Sequence, residues 1–331
     1  MRVFSNLSCL LLVFFAAACQ KEDPDLIPQK IELQEPLMGT LFQVTTFATD
    51  LPRARKMIQE AFGKAHEIEK IATDYNPRSE LNRLCASPPN TPMPVSKTLF
   101  ELLEIAHRTA HATKGAYDPT LGPLTRLWRE SLKTRSLPSE FRLKQARSAC
   151  GYHALVLDSE KQTVILRKNG MQLDLGGIAK GYAADVIFNH LKDAGLSQTL
   201  VAAGGDLRIG EAPPEKDGWT IGLRTFHLTP SSTKTLVECA VSTSGDLHQS
   251  IEIGGIRYAH LIDPQTGLGQ ASRVAATVIA PLAVQTDPLA TAACLHPDPQ
   301  ELLKEFPEAS FRILTESEMI PPVKNGVFLN N

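Results

Sequence analysis

Met171-Gln172-Leu173-Asp174-Leu175-Gly176-Gly177-Ile178-Ala179-Lys180-Gly181-Tyr182-Ala183-Ala184-Asp185 is the stretch on which the reading of this chain turns. It reads as a short buried strand, a turn opened by paired glycines, and an amphipathic helix whose stripe is Ile178, Tyr182, Val186, Ile187 and Leu191. Gly195 is the expected stop of that helix. Glycine lets a backbone approach a ligand closely, and a helix N-terminus presents unpaired N–H groups that favour anions. A phosphorylated ligand is one reading. An ordinary strand-to-helix connection is the other, and the stretch alone leaves both open.

Nucleotide fingerprints can be tested on the same residues. Gly176 to Gly181 is not G-x-G-x-x-G, and Tyr182 and Ala183 stand where a P-loop needs lysine and Ser/Thr. There is no G-x-S-x-G nucleophile elbow either.

Outward from this stretch, the chain alternates strands with helices. Ile31 to Thr46 reads as a hairpin turning at Met38-Gly39-Thr40, and Asp50 with Pro52 opens a helix carrying Ala54, Met57, Ile58, Ala61, Phe62, Ala65, Ile68 and Ile71 at helical spacing. Thr73 to Leu81 is a loop leading into a helical turn. Ser96 caps the next helix, which Gly115 ends. His107 and His111 stand four apart on it, a metal-ligand spacing, but without a Glu-x-x-His context they read as a solvated pair. Ala116 to Leu124, with two prolines around a glycine, is expected to be a rigid non-helical loop; Trp128 reads as core, and Arg129 to Pro138 as surface.

Two antiparallel strands are expected at Tyr152–Leu157 and Thr163–Arg167. Further strands are expected at Thr199–Ala203, Trp219–Leu223, Ala240–Ser242, Ile251–Ile253 and Ala275–Ile279, with a last pattern near Ala309–Leu314 and Val327–Leu329. Tyr258 to Gly267 reads as a strand entering a Pro/Gly turn. Asp287 is expected to cap a helix with Pro288 at its first position, which puts Asp287 and Thr291 on one face. These elements describe an α+β protein, a single compact body of mixed and antiparallel sheets with packed helices.

The 331 residues carry a formal charge of −2 and a pI near 6.5, so no basic surface points to nucleic acid. Arg2, the apolar run Leu10 to Phe15 and the small residues Ala16-Ala17-Ala18 form a secretory signal, residues 1–18. Cys19 directly after them resembles a lipobox, although Ala16 stands where leucine is more usual. The resemblance implies a lipidated Cys19, a tether over residues 19–30 and a folded body from 31 to 325 held at a bacterial membrane, facing the periplasm. Gln20 after the cysteine resembles lipoproteins sent to the outer membrane. Cys85, Cys150, Cys239 and Cys294 are widely spaced and offer no structural zinc site; disulfides among them cannot be assigned from spacing.

Carboxylates recur beside glycine, proline or hydroxyl residues: Tyr117-Asp118-Pro119, Asp174 with Gly176-Gly177, Gly204-Gly205-Asp206, Ser244-Gly245-Asp246, His260 with Asp263, and Asp287 with Thr291. Each alone is an ordinary turn or cap. Together they offer hard oxygen ligands of the kind Mg²⁺ takes. Their order and spacing, with Met38-Gly39-Thr40, Tyr75-Asn76-Pro77-Arg78-Ser79-Glu80-Leu81 and Ala116 to Leu124 upstream, resemble the ApbE-type FAD:protein FMN transferases over roughly residues 30 to 320.

The resemblance implies that FAD is cleaved at its pyrophosphate and that FMN passes to a threonine or serine hydroxyl of an acceptor protein, a periplasmic or membrane electron-transfer flavoprotein, with release of AMP. It implies FAD contacts at Met38, Tyr75, Ala116, Tyr117, Asp118, Asp174, Lys180 and Ile262. Mg²⁺ ligands are implied at Gly177 and Ala290 through their carbonyls and at Asp287 and Thr291, with His260 and Asp287 in catalysis. Thr286-Asp287-Pro288 departs from the usual Ala-Asp-Ala. The rival readings are a lipoprotein that holds FAD without transfer and an FAD pyrophosphatase.

Overall fold

The computed structural model describes residues 27–223, 232–245, 250–296 and 298–315. Cys19, the signal, most of the tether, Asp246 and Val327–Leu329 lie outside the described residues. The chain opens with the expected hairpin, β1 (Gln29–Leu37) and β2 (Thr40–Ala48), β1 beginning two residues ahead of the expected body boundary. Met38 and Gly39 form the two-residue turn with φ of 51° and 71°, both left-handed, as a tight hairpin requires. Helix α1 (Leu51–Ala72) follows; the Asp50 side chain accepts the Arg53 N–H at 3.0 Å, and the expected stripe is buried except for Met57 and Ile71, which are half-buried, while Ala72 joins it.

Next come α2 (Glu80–Cys85), the short β3 (Met93–Pro94), α3 (Lys97–Ala112), α4 (Gly122–Thr134) and α5 (Glu140–Ser148). They lead to β4 (Leu155–Asp158), β5 (Thr163–Leu166) and α6 (Ala179–Asp193). The second half contains β6 (Thr199–Ala203), β7 (Asp206–Ile209), β8 (Trp219–Leu223), β9 (Ser232–Leu236), β10 (Cys239–Gly245), β11 (Ser250–Ile253), β12 (Ile256–Ala259) and β13 (Val274–Ala280). It closes with α7 (Ala283–Leu295), α8 (Pro299–Glu305) and β14 (Ser310–Thr315).

A seven-stranded sheet runs β1-β2-β6-β7-β10-β13-β14, every neighbouring pair antiparallel. Helix α1 packs on β1 and β2, α6 on β6 and β7, and α7 on β10, β13 and β14. The core follows strand alternation: Val201 and Ala240 join the helix-side cluster, while Leu200, Leu207 and Val241 meet Ile221 and Trp219 in a separate cluster with the β8–β9 hairpin. Strands β3, β5 and β4 form a small sheet whose Leu155, Val164 and Leu166 share the main core with α3.

Several expectations are corrected. Met171, Leu173 and Leu175 are buried, but Met171–Leu175 is not a ladder strand. Leu173 N–H goes to Cys85 Sγ at 3.3 Å and Asp174 N–H to Pro119 O at 2.8 Å, so this backbone bonds to separate loops and keeps only an isolated bridge between Leu121 and Gln172. The Ala116–Leu124 loop ends early, because Gly122-Pro123 starts α4; proline at a first turn opens a helix rather than forbidding one. The expected surface segment is therefore largely the end of α4, and α5 follows it. Helix α7 begins at Ala283, so Pro288 is interior and removes an N–H that would otherwise serve the ladder. Its first N–H groups are capped by Asp185 of α6: Ala283 N donates to Oδ1 at 3.0 Å and Val284 N to Oδ2 at 2.9 Å.

Candidate active site

Helix α6 is buried on most sides, and Gly181 lets α7 approach it closely: a Cβ there would overlap the Ala283 carbonyl and lie 2.9 Å from Val284 N. This crossing brings Lys180, early on α6, against Asp287 on α7. Lys180 Nζ lies 2.6 Å from Asp287 Oδ2 and 2.9 Å from Asp206 Oδ2, and 3.4 Å from the Gly176 carbonyl oxygen. The two carboxylate side chains are 9% and 6% exposed, so an ionised pair here needs a cation at close range. Burial opposes the charge on Lys180, but Asp287 and Asp206 together outweigh it and hold the ammonium above its ordinary range. Asp287 is raised to about 6 by burial first and by the Asp206 charge second, with Lys180 pulling the other way.

Thr291 stands one turn along α7 from Asp287, its hydroxyl 3.2 Å from that of Ser244 on β10. Gly177 lies under the Tyr117 ring, where an added Cβ would be 3.4 Å from Cε2. Tyr117 is buried, and its hydroxyl has no hydrogen-bond partner among the described residues. Burial, then the charges of Asp174, Asp287 and Asp118, push that phenol well above its usual range. An orphaned hydroxyl and hard oxygens beside it fit a divalent cation with few protein ligands. Among the described residues there is no cluster of three or more His, Cys, Asp or Glu able to hold a metal ion, so Asp287 would be joined by Thr291 and by the carbonyls of Gly177 and Ala290. The residues therefore fit Mg²⁺ better than a caged transition metal.

Beside this centre lies a hollow of about 460 Å³ whose lining includes Met38, Glu69, Thr73, Tyr75, Gly176 and Lys180. Hollows of about 510 and 570 Å³ elsewhere touch none of Lys180, Asp206 and Asp287. The Met38 N–H is held by Glu69 Oε1 at 2.8 Å. Tyr75 is 77% exposed, and the Arg129 guanidinium lies over its ring at 4.3 Å. Arg129 also pairs with Asp74 and lies 3.7 Å from Asp174 Oδ2, while Asp174 Oδ1 accepts the Gly176 N–H at 2.8 Å.

Not every expected residue faces the hollow. Asp118 spends its carboxylate on Thr120 N at 2.8 Å, Thr120 Oγ1 at 2.6 Å and Tyr152 N at 3.2 Å, which fixes the loop that carries Tyr117. Burial raises its pKa against those bonds. Ala116 packs on the main core, the Ala290 side chain is buried there, and Ile262 is buried among Leu124, Trp128 and Tyr258. His260 is an exposed residue directly after β12. Cys85, Cys150, Cys239 and Cys294 are free thiols, and His107 and His111 touch at 3.1 Å between their Nε2 atoms on α3.

Sequence reading gave no site role to Arg129, Glu69 or Asp185, and offered Asp206 only as one of several carboxylates beside glycine turns. Arg129 falls in the segment expected to be surface, because the helix that carries it opens inside the expected loop. Asp185 carried no signal, because its partner helix begins 98 residues away.

A lysine clamped between two buried carboxylates beside a hollow that Tyr75 borders defines a site suited to an anionic ligand. The chain belongs to the ApbE family, whose pattern matches residues 38–310. It is 32% identical over 293 residues to the FAD:protein FMN transferase of Treponema pallidum, covering 82% of this chain and 81% of that protein. The Salmonella typhimurium FAD:protein FMN transferase is 27% identical over 95% of this chain and 93% of its own. The ApbE protein of Thermotoga maritima superposes with a TM-score of 0.76 at 30% identity, over 87% of this chain and 95% of its own. A point mutant of the flavin transferase ApbE of Vibrio cholerae gives 0.77 at 25%, over 87% and 94%.

Proposed function

We propose that this protein transfers FMN from FAD to a threonine or serine hydroxyl of an acceptor protein, releasing AMP, with Mg²⁺ at Asp287, Thr291 and the Gly177 and Ala290 carbonyls. The observation that carries this reading is the meeting of Asp287 and Lys180 beside the hollow walled by Met38 and Tyr75. When bound, the ion supplies neutralisation of charge on the pyrophosphate. In the transfer, the acceptor oxygen forms a bond to the phosphorus of the FMN half. The bond from that phosphorus to the bridging oxygen breaks, and AMP leaves with the electron pair.

The chain's own groups have separate tasks. The Lys180 ammonium adds a fixed positive charge where negative charge develops. Tyr75, with Arg129 across its ring, offers an aromatic face for a flat ligand. His260 is the residue that the family resemblance assigns to take the acceptor's proton. The reading also places the body at a bacterial membrane, facing the periplasm, through lipid on Cys19, for which the lipobox-like sequence is the support.

The test incubates the protein with FAD, Mg²⁺ and a candidate acceptor, and follows AMP, FMN and acceptor mass. Gain of FMN by the acceptor supports transfer. Free FMN with AMP supports a pyrophosphatase instead, and unchanged FAD a binding protein. A His260→Ala variant that flavinylates at full rate refutes the role given to His260.

A further inference from the structure

We propose that Asp206 is a positioning residue: it shares Lys180, the site's resident cation, with Asp287, so that Asp287, which takes the closer contact in the metal-free protein, is not the ammonium's sole carboxylate and can turn to the metal. The proposal rests on the metal-assisted reading above and extends it to a carboxylate that reading does not use.

An ammonium has three N–H donors. The acceptors around Lys180 Nζ are Asp287 Oδ2 at 2.6 Å, Asp206 Oδ2 at 2.9 Å and the Gly176 carbonyl at 3.4 Å, and all three belong to the protein. Lys180 therefore meets a ligand in the neighbouring hollow through its field, without a direct bond, for as long as both carboxylates keep it. Asp206 is fixed in that role by its backbone. It opens β7 directly after the Gly204-Gly205 turn, paired with Ala203 across the hairpin. Gly204 has a φ of +68°, and a Cβ there would lie 2.7 Å from Thr40 Oγ1, so the turn that leads into Asp206 depends on glycine.

Charge counting gives the consequence. With both carboxylates ionised, Lys180, Asp206 and Asp287 sum to one net negative charge, which attracts a divalent cation. Without Asp206 the sum is zero, and of the two carboxylates only Asp287 is left to Lys180. The competition for Asp287 then favours the lysine over the metal.

The experiment pairs two readouts on the full protein without FAD. One is Mg²⁺ affinity by calorimetric titration. The other is acylation of Lys180 by an amine-reactive ester, read by peptide mass. Melting curves verify that each variant is folded. In the wild type, Lys180 is expected to be protected. In Asp206→Asn it becomes reactive, and the Mg²⁺ dissociation constant rises by about tenfold or more. In Asp206→Glu, which restores the charge, both effects are largely reversed. If the Asn variant does not fold, Asp206→Ser carries the same expectations.

Wild-type protection together with wild-type affinity in the neutral variant overturns the proposal. So does a change in only one of the two readouts, because the mechanism couples them. A wild-type protein that protects Lys180 but binds no Mg²⁺ refutes the metal-assisted reading itself; the lysine footprint of Asp206→Asn then still decides whether Asp206 holds Lys180.

Discussion

Replacing Gly181 by alanine tests the crossing on which the site is built. The added Cβ would overlap the Ala283 carbonyl oxygen and sit 2.5 Å from its carbon and 2.9 Å from Val284 N, all backbone atoms of α7. Ordinary carbon contacts need about 3.5 Å, so α7 must retreat by about 1 Å. Overpacking of this kind costs about 1–3 kcal/mol. Loosening a charge-assisted hydrogen bond from Ala283 or Val284 to Asp185 adds about 1.5–3 kcal/mol. Alanine returns about 1 kcal/mol of helix propensity. The net expectation is a loss of roughly 3 kcal/mol, or on the order of 8 °C in melting midpoint. The same retreat carries Asp287 away from Lys180, so Mg²⁺ affinity falls with stability. The comparison is Gly205→Ala, whose Cβ meets nothing within 4 Å and whose effect is expected within about 0.5 kcal/mol. Thermal melts and Mg²⁺ titrations of both variants decide it. A Gly181→Ala midpoint equal to that of Gly205→Ala refutes the close-crossing account.

Three further outcomes are expected. Asp185→Asn leaves two helix N–H groups facing a neutral amide and takes the charge from Arg208, whose Nε lies 3.0 Å from Asp185 Oδ1; a loss of about 2–3 kcal/mol is expected in a denaturant titration. Arg129→Ala removes the cation over Tyr75 and the partner of Asp74, and is expected to weaken FAD binding about tenfold in a fluorescence titration while the fold is kept. Because Asp287 titrates at about 6 in the folded chain and metal needs it ionised, Mg²⁺ affinity should fall as pH drops below about 6. The raised value also means that the folded, metal-free chain holds this proton more tightly than the unfolded one. This group's contribution to stability therefore grows as pH falls from about 6 toward 3.8, and is unfavourable above about 6; melts over pH 4 to 7 in Asp287→Asn should lose that slope.

What could be read in advance was local. Helix α1 announces itself through Asp50, Pro52 and a stripe of small and aliphatic residues, all within its own sequence. Helix α5 buries no residue, so periodicity had nothing to detect, although Ser139 caps it. The start of α7 was misplaced because its cap resides on α6. The Asp-Pro pair that looks like a helix start is instead an interior site residue beside a proline. Lys180 and Asp287 were each legible from the family resemblance. Their direct contact was not, since it depends on Gly181 letting two helices approach, and Asp206 enters only through a hairpin that sequence reading did not close.

Strands β2 and β6 are ladder neighbours, Phe42 opposite Ala203 through Thr46 opposite Thr199, yet the chain between them passes through six helices and a three-stranded sheet. That long excursion contains Tyr75, Tyr117 and Arg129, the groups around the aromatic end of the site. Asp206, Ser244, Asp287 and Thr291 all come after the chain has returned, and Lys180 stands near the point of return. Lengthening a surface loop within the excursion costs little in closure entropy and leaves the ladder intact. A loop added near Tyr75 or Arg129 would therefore leave the strands that carry Asp206 and Ser244 in register. The aromatic groups of the site thus come from the excursion, and Asp206, Ser244, Asp287 and Thr291 from the chain after its return to the sheet.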